Sequence, residues 1–226
     1  IDGEPRKVLF NANRNGFLYS LDRASGELIT AREFAEQSWA LSLEENGRPQ
    51  RNPSALPSAG GTRVWPNSVG ATNWWPPAYH PRARLLCLPV VDGPSVYYTQ
   101  ETRYEPGKPF VAVVGQQSFN EAARRFVRCL NDASGALVWE KELQTIGGRL
   151  LNINMSGLLM TAGNLLFAGD NTDFIALHAI TGDELWRINT GGSILGPPVS
   201  YRAGGSQFVV VTSGRTLLAF GLPAEP

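Results

Sequence analysis

Apolar positions are most regularly spaced in residues 164–189, NLLFAGDNTDFIALHAITGDELWRIN. Apolar runs at Asn164–Gly169 and Asp173–Ala179, and a third segment at Glu184–Asn189, are separated by Asp170-Asn171-Thr172 and by Ile180-Thr181-Gly182-Asp183. Runs of this length bounded by Gly, Asn and Asp predict three short strands joined by tight turns. The unit recurs in FVRCLNDASGALVWEKEL at 126–143 and in FLYSLDRASGELITAREF at 17–34. In each, an apolar strand runs into a turn that closes on Ser-Gly, and a second strand follows. Trp139 and Trp186 both stand four residues after the turn glycine, Gly135 or Gly182, and Thr30 takes that place after Gly26. Gly182 follows Gly135 by 47 residues, close to one four-stranded propeller blade; Gly135 follows Gly26 by 109, which fits two repeats and an insertion. The pattern predicts an all-β chain: a β-propeller of four-stranded antiparallel blades in which tryptophans fill the gaps between neighbouring sheets. An ordinary β-sandwich is the competing architecture.

About four blades are expected, at 1–34, 66–143, 150–190 and 191–222. Segment 35–70, rich in Pro, Gly, Arg and Ser, reads as a long surface connection, and 93–124 as an insertion between the second and third strands of the second blade. The first blade lacks a leading strand and the last an outer one, so the chain has the pattern of roughly half a propeller. Its two cut flanks are expected to be exposed around Val8, Phe10, Phe17 and Tyr19 and around Val209, Val211, Leu217 and Phe220, so that the chain self-associates. The order of antiparallel strands puts Asn13-Arg14-Asn15-Gly16, Ala71-Thr72-Asn73-Trp74-Trp75 and Asn152-Ile153-Asn154-Met155 on one face, opposite the Ser-Gly turns. That face gathers a cation, amides, indoles and a thioether, and is the candidate site.

Composition narrows the classes. Twenty Lys and Arg balance twenty Asp and Glu among 226 residues, so the charge implies no polyanion partner and argues against nucleic acid. Apolar residues make up 42%, enough for a core, but no run approaches the length of a membrane span. The chain opens Ile1-Asp2-Gly3, without Met or a signal peptide, and reads as a piece of a longer polypeptide. Cys87 and Cys129 lie in LLCLPVV and FVRCLND, as two buried thiols or as a disulfide between neighbouring strands; there is no CxxCH and no zinc pattern. His80 and His178 sit in different blades, His178 at the strand end taken elsewhere by Asp22 and Asn131, which points to turn or solvated roles. Asp170 and Asp173 flank a turn with no third acid to suggest calcium.

NRNGFLYSLDRASGELI, GATNWWPPAYHPRARLLCLPVV, MSGLLMTAGNLLFAGDNTDFIALHAITGDELW and TGGSILGPPVSY, in this order, resemble the C-terminal half of the pyrroloquinoline quinone (PQQ)-dependent alcohol dehydrogenases, the methanol and ethanol dehydrogenase family. The resemblance implies an eight-bladed propeller holding PQQ with Ca²⁺ or a lanthanide. It implies oxidation of an alcohol substrate, electrons leaving to a cytochrome c or a quinone, and a periplasmic location. It implies that the catalytic base and the metal ligands precede Ile1, so that this chain alone is inactive. Arg14 matches the family's arginine or lysine at the quinone oxygens, and Asn73 an asparagine that hydrogen-bonds the cofactor. Trp74 follows it as a candidate cavity wall, and Met155 stands about where many relatives carry a tryptophan near the cofactor. The alternatives are a non-enzymatic propeller of the same repeat used as a binding scaffold, and a PQQ-dependent sugar or polyol dehydrogenase.

Overall fold

In the computed structural model, residues 5–99, 101–108, 110, 113–116, 123–144 and 155–222 are described. They divide into two compact units, one formed by residues up to 73 with 91–124, the other by 74–90, 125–144 and 155–222. Among the described residues there is no α-helix; a single 3₁₀ turn occupies Pro53–Ala55.

In the first unit, β1 (Val8–Ala12), β2 (Phe17–Asp22) and β3 (Leu28–Glu33) form a three-stranded antiparallel sheet in that order. β2 is its buried centre: Phe17, Leu18 and Ser20 are inaccessible, while β1 alternates between half-buried and exposed positions. Phe17 is therefore core, not the exposed flank expected from sequence. Segment 35–70 is not a plain connection. It holds a hairpin of β4 (Ala40–Leu43) and β5 (Pro49–Arg51), and then β6 (Thr62–Val64). β6 pairs with β9 (Ser95–Thr99), which pairs with β10 (Val113–Gln116), so the two stretches lacking local periodicity build a sheet together. Strands of three to five residues carry almost no periodic signal, and a partner some 30 positions away carries none.

In the second unit, β7 (Ala78–His80), β8 (Leu85–Asp92), β11 (Arg124–Asn131) and β12 (Leu137–Leu143) form a sheet ordered β12-β11-β8-β7, with the last two residues of β8 and the first of β11 reckoned to the first unit. Cys87 of β8 and Cys129 of β11, both wholly buried, are joined in a disulfide. The next sheet runs β13 (Leu159–Met160), β14 (Leu165–Asp170), β15 (Asp173–His178) and β16 (Glu184–Asn189), every pair antiparallel. β17 (Val199–Ala203), β18 (Ser206–Ser213) and β19 (Thr216–Gly221) follow as a three-stranded sheet. Phe174 of β15 packs with Ile194, Val209 and Val211, with Leu159, Phe167 and Phe220 at the margin. Val209 and Val211 are therefore buried and only Leu217 of that expected flank is open, because the inner face of β18 is covered by Phe174.

The repeat holds residue for residue. Ser20 pairs with Thr30, Cys129 with Trp139 and Ala176 with Trp186, and in each sheet the register slips at the next residue. The bulge feeds an identical turn. Gly26 N–H donates to the Asp22 carbonyl, Gly135 to Asn131 and Gly182 to His178, each at 2.8 Å. The three glycines have φ of 78°, 69° and 80°, in the left-handed region. The strand-end side chain caps the turn: Asp22 Oδ1 accepts from Ala24 and Ser25 N–H, Asn131 Oδ1 from Ala133 and Ser134 N–H, and His178 Nδ1 lies 3.0 Å from Thr181 Oγ1. His178 thus has the turn role that its position predicts. His80 also serves a turn, its Nδ1 accepting from Ala83 N–H at 3.0 Å, but it is buried and meets Asn164 Oδ1 through Nε2 at 2.8 Å.

The glycine turn is what a tryptophan docks on. Trp139 is 9% exposed; its indole N–H donates to the Ala179 carbonyl at 3.1 Å, and its ring lies where a Cβ on Gly182 would fall, 2.6 Å from Cε3. Trp186, expected to be buried in the same way, is 38% exposed. Its ring meets Phe174 and Phe220 edge-on at 5.9 and 5.5 Å.

Candidate functional site

The turn between β1 and β2 projects Arg14. Asn13 Oδ1 accepts from Asn15 N–H, Asn15 Oδ1 accepts from Phe17 N–H, and buried Gly16 closes the turn at φ 95°. Segment 35–70 then fixes this turn from outside. Trp39 Nε1 donates to the Asn15 carbonyl at 2.8 Å, and Ala71 N–H donates to the Arg14 carbonyl at 3.0 Å. Arg14 Nη2 donates to the Ser68 carbonyl at 2.6 Å and Nε to the Val69 carbonyl at 3.1 Å. Asn73 Nδ2 donates to the same Val69 oxygen at 2.7 Å, so Arg14 and Asn73 are brought together on one acceptor. Gly70, at φ 92°, is required twice over: a Cβ there would sit 2.7 Å from Arg14 Cβ. Arg14 is exposed, and its Nη1 has no hydrogen-bond partner among the described residues.

Beside Arg14 opens a cleft of about 480 Å³ in the same unit, walled by Trp39, Val64, Trp65 and Tyr97. Asn67 lines it as well, and is 4% exposed. Its Oδ1 accepts from Val69 N–H at 2.9 Å, which fixes the orientation of the amide and leaves Nδ2 buried with no partner among the described residues. Burial pushes the Tyr97 phenol above its ordinary value, against smaller opposing effects of Ser95 and the Arg14 guanidinium, so Tyr97 is neutral at physiological pH. Trp39, Trp65, Asn67 and Tyr97 come from the two aperiodic stretches and carry no local motif that marks them as a wall.

The other two sequence-derived candidates belong to the second unit. Trp74 is 67% exposed, tilted against Trp75 at 6.1 Å between ring centres. Met155 is 1% exposed; the remainder of its tetrapeptide, Asn152–Asn154, lies outside the described residues. In this unit Asp170 and Asp173 are engaged by Arg187 Nη1 at 2.9 and 2.7 Å. Arg187 also grips Glu184 through two bonds of 2.8 Å and holds its carboxyl far below the usual range, at about 2, with Lys141 assisting. This is an ion-paired turn. Among the described residues no group of three or more His, Cys, Asp or Glu side chains is placed to hold a metal ion.

Consecutive antiparallel sheets, a glycine turn repeated in register and an indole docked on it define blades of the propeller class. Comparison with known proteins narrows that class. The family model described as outer membrane protein assembly factor BamB matches residues 123–221. Over 94% of its length the chain is 34% identical to the quinoprotein alcohol dehydrogenase PedH of Pseudomonas putida, of which it covers 36%. It is 30% identical to the quinohemoprotein alcohol dehydrogenase of Comamonas testosteroni, with 95% of the chain and 31% of the relative covered. The crystal structure of that Comamonas enzyme superposes with a TM-score of 0.83 at 28% identity, over 95% of this chain and 33% of that one. A europium-containing methanol dehydrogenase superposes at 0.81 with 30% identity, over 93% and 37%. Nearly the whole chain is thus similar, in sequence and in fold, to PQQ-dependent alcohol dehydrogenases, and it spans about a third of their length.

Proposed function

We propose that this chain is part of a PQQ-dependent dehydrogenase that oxidises an alcohol to an aldehyde and passes the electrons to a cytochrome or a quinone. The supporting observation is the convergence of Arg14 and Asn73 on the Val69 carbonyl, in a chain similar over 94% of its length to a quinoprotein alcohol dehydrogenase. PQQ, when bound, supplies the two-electron acceptor. The donor set fits an acceptor-rich group of this kind: Arg14 presents Nη1 unpartnered among the described residues, held by two carbonyls that cannot neutralise its charge. A cation fixed in this way stabilises negative charge as it develops, without reorganising. Asn73 adds an amide beside it; in the second unit Trp74, with an open indole, and Met155, with a buried thioether, remain the further candidate contacts. No metal-holding group is found among the described residues, and by the resemblance Ca²⁺ or a lanthanide would take its ligands, and the reaction its base, from elsewhere in the full-length polypeptide. The sheets are read as successive blades at 1–34, 66–143, 150–190 and 191–222. The Cys87–Cys129 disulfide suits an oxidising compartment, in keeping with a periplasmic location. The chain by itself is inactive and self-associates, although much of the expected flank surface, Phe17, Val209 and Val211, is buried.

The scaffold reading has one observation in its favour, the family-model match at 123–221. That stretch contains neither Arg14 nor Asn73. Dye-linked oxidation of primary alcohols by the full-length polypeptide, with PQQ and Ca²⁺ or a lanthanide, tests the enzyme reading. Cofactor-dependent turnover is expected from the full-length protein and none from residues 1–226 alone. A full-length protein that binds PQQ with no turnover of any alcohol or sugar would return the chain to the scaffolds.

A further inference from the structure

Two main-chain carbonyls that hold a guanidinium must themselves be aimed, and the turn Asn67–Gly70 has the parts to do it. Its three N–H groups are all committed: Ser68 N–H donates to Ser95 Oγ at 3.0 Å, Val69 N–H to Asn67 Oδ1 at 2.9 Å and Gly70 N–H to the Asn67 carbonyl at 2.8 Å. With the donors fixed, the carbonyls of Ser68 and Val69 are the groups that meet Nη2 and Nε of Arg14. Both anchoring side chains are buried, Asn67 at 4% and Ser95 at 0% exposure. Ser95 opens β9 and stands opposite Val64 of β6, so the turn is tied to the sheet built from the two aperiodic stretches. Gly70 supplies the last condition. At φ 92° it brings the turn against the arginine stem, where a Cβ would lie 2.7 Å from Arg14 Cβ and 3.0 Å from its Cγ.

We propose that Asn67, Gly70 and Ser95 are positioning residues for the reaction: they set the carbonyl pair that holds Arg14, and so fix where its charge acts. The inference rests on the enzyme reading above. The two segments outside the repeat, 35–70 and 93–124, then serve to place the cation of the site, since one supplies the turn and the other the strand that anchors it.

In the full-length protein with PQQ saturating, Asn67→Ala and Gly70→Ala should each lower kcat for a primary alcohol tenfold or more, because a misplacement of about 1 Å can cost about 10²-fold. Gly26→Ala is the control for backbone strain: it has φ 78° and nothing within 4 Å of a Cβ, and should leave kcat within twofold. In an Arg14→Ala background the two substitutions should change kcat by less than twofold, since no cation remains to be placed. A tenfold loss that persists without Arg14, or a kcat equal to the parent's in a folded variant, would overturn the proposal. Circular dichroism identifies any variant that fails to fold, and Ser95→Ala then takes its place. The cradle can also be read without turnover, by nitrogen-15 NMR of the 226-residue chain. Arg14 Nε–H should exchange with water at least tenfold more slowly than that of Arg23, an exposed turn arginine, and Asn67→Ala should abolish the difference. Equal exchange in the parent would overturn the proposal. A protected Arg14 in a full-length protein that oxidises no alcohol would instead overturn the enzyme reading while bearing out the cradle.

Discussion

Gly182→Ala probes the docking of Trp139 directly, and its cost separates into two parts. The residue has φ 80°, and an alanine held there costs about 1–2 kcal/mol whatever surrounds it. The new Cβ would also lie 2.6 Å from Trp139 Cε3 and 2.8 Å from Cδ2, which forces the indole off its seat. Overpacking of this sort costs about 1–3 kcal/mol more. Gly26→Ala is the matched control: it has the same turn, φ 78°, and nothing within 4 Å of a Cβ, so only the backbone part remains. Trp139→Ala removes a buried indole and leaves a cavity, for about 3–5 kcal/mol. With the indole gone, Gly182→Ala should cost no more than Gly26→Ala does. The double variant is therefore more stable than the sum of the single ones predicts, by about 1–3 kcal/mol. Urea unfolding of the four variants, followed by far-ultraviolet circular dichroism, gives each value. Additivity within about 0.5 kcal/mol, or equal costs for Gly26→Ala and Gly182→Ala in the parent, would refute the docking argument.

Three further outcomes are expected. Trp186→Ala should destabilise by clearly less than Trp139→Ala, since 38% of Trp186 is already exposed against 9% of Trp139, and equal costs in urea melts would contradict that ranking. Replacing Cys87 and Cys129 together by alanine opens a link spanning 42 residues and should cost about 4 kcal/mol by loop-closure entropy, read as the loss in unfolding free energy against the oxidised parent. Glu184, held at about 2 by Arg187, and Asp173, also lowered first of all by Arg187, bind fewer protons folded than unfolded; their stabilisation is complete above the ordinary carboxylate range, near 4.5, and is lost as pH falls toward 2. Urea midpoints between pH 5 and 2 should fall less steeply for Glu184→Gln than for the parent, and parallel slopes would rule Glu184 out as a source.

The parts legible in the sequence are those where local pattern and tertiary role coincide. Gly26, Gly135 and Gly182 sit in identical turns because only a left-handed residue closes them, and that requirement is visible as spacing. Arg14 and Asn73 could be placed on one face because strand order alone puts their turns there. Their meeting at Val69 could not, since a backbone carbonyl leaves no mark in a sequence. The burial of Trp139 and the exposure of Trp186 look the same in sequence, at equal offsets from their glycines; the difference is the turn that covers one of them. The wall of Trp39, Trp65 and Tyr97 was hidden for another reason. It depends on β6 pairing with β9 across about 30 positions, in strands too short to show a period.

The role of Arg14 is tested most directly by the rate of alcohol oxidation in full-length Arg14→Ala at saturating PQQ, with the PQQ dissociation constant measured alongside. Arg14 is held by Ser68 and Val69; in the proposed enzyme its charge would act on the reacting group, an interaction that strengthens as negative charge grows. Its loss should lower kcat by roughly 10²–10³-fold, the range for a removed charge-stabilising donor, while cofactor affinity changes far less. A kcat equal to that of the parent with PQQ saturating would contradict the assignment.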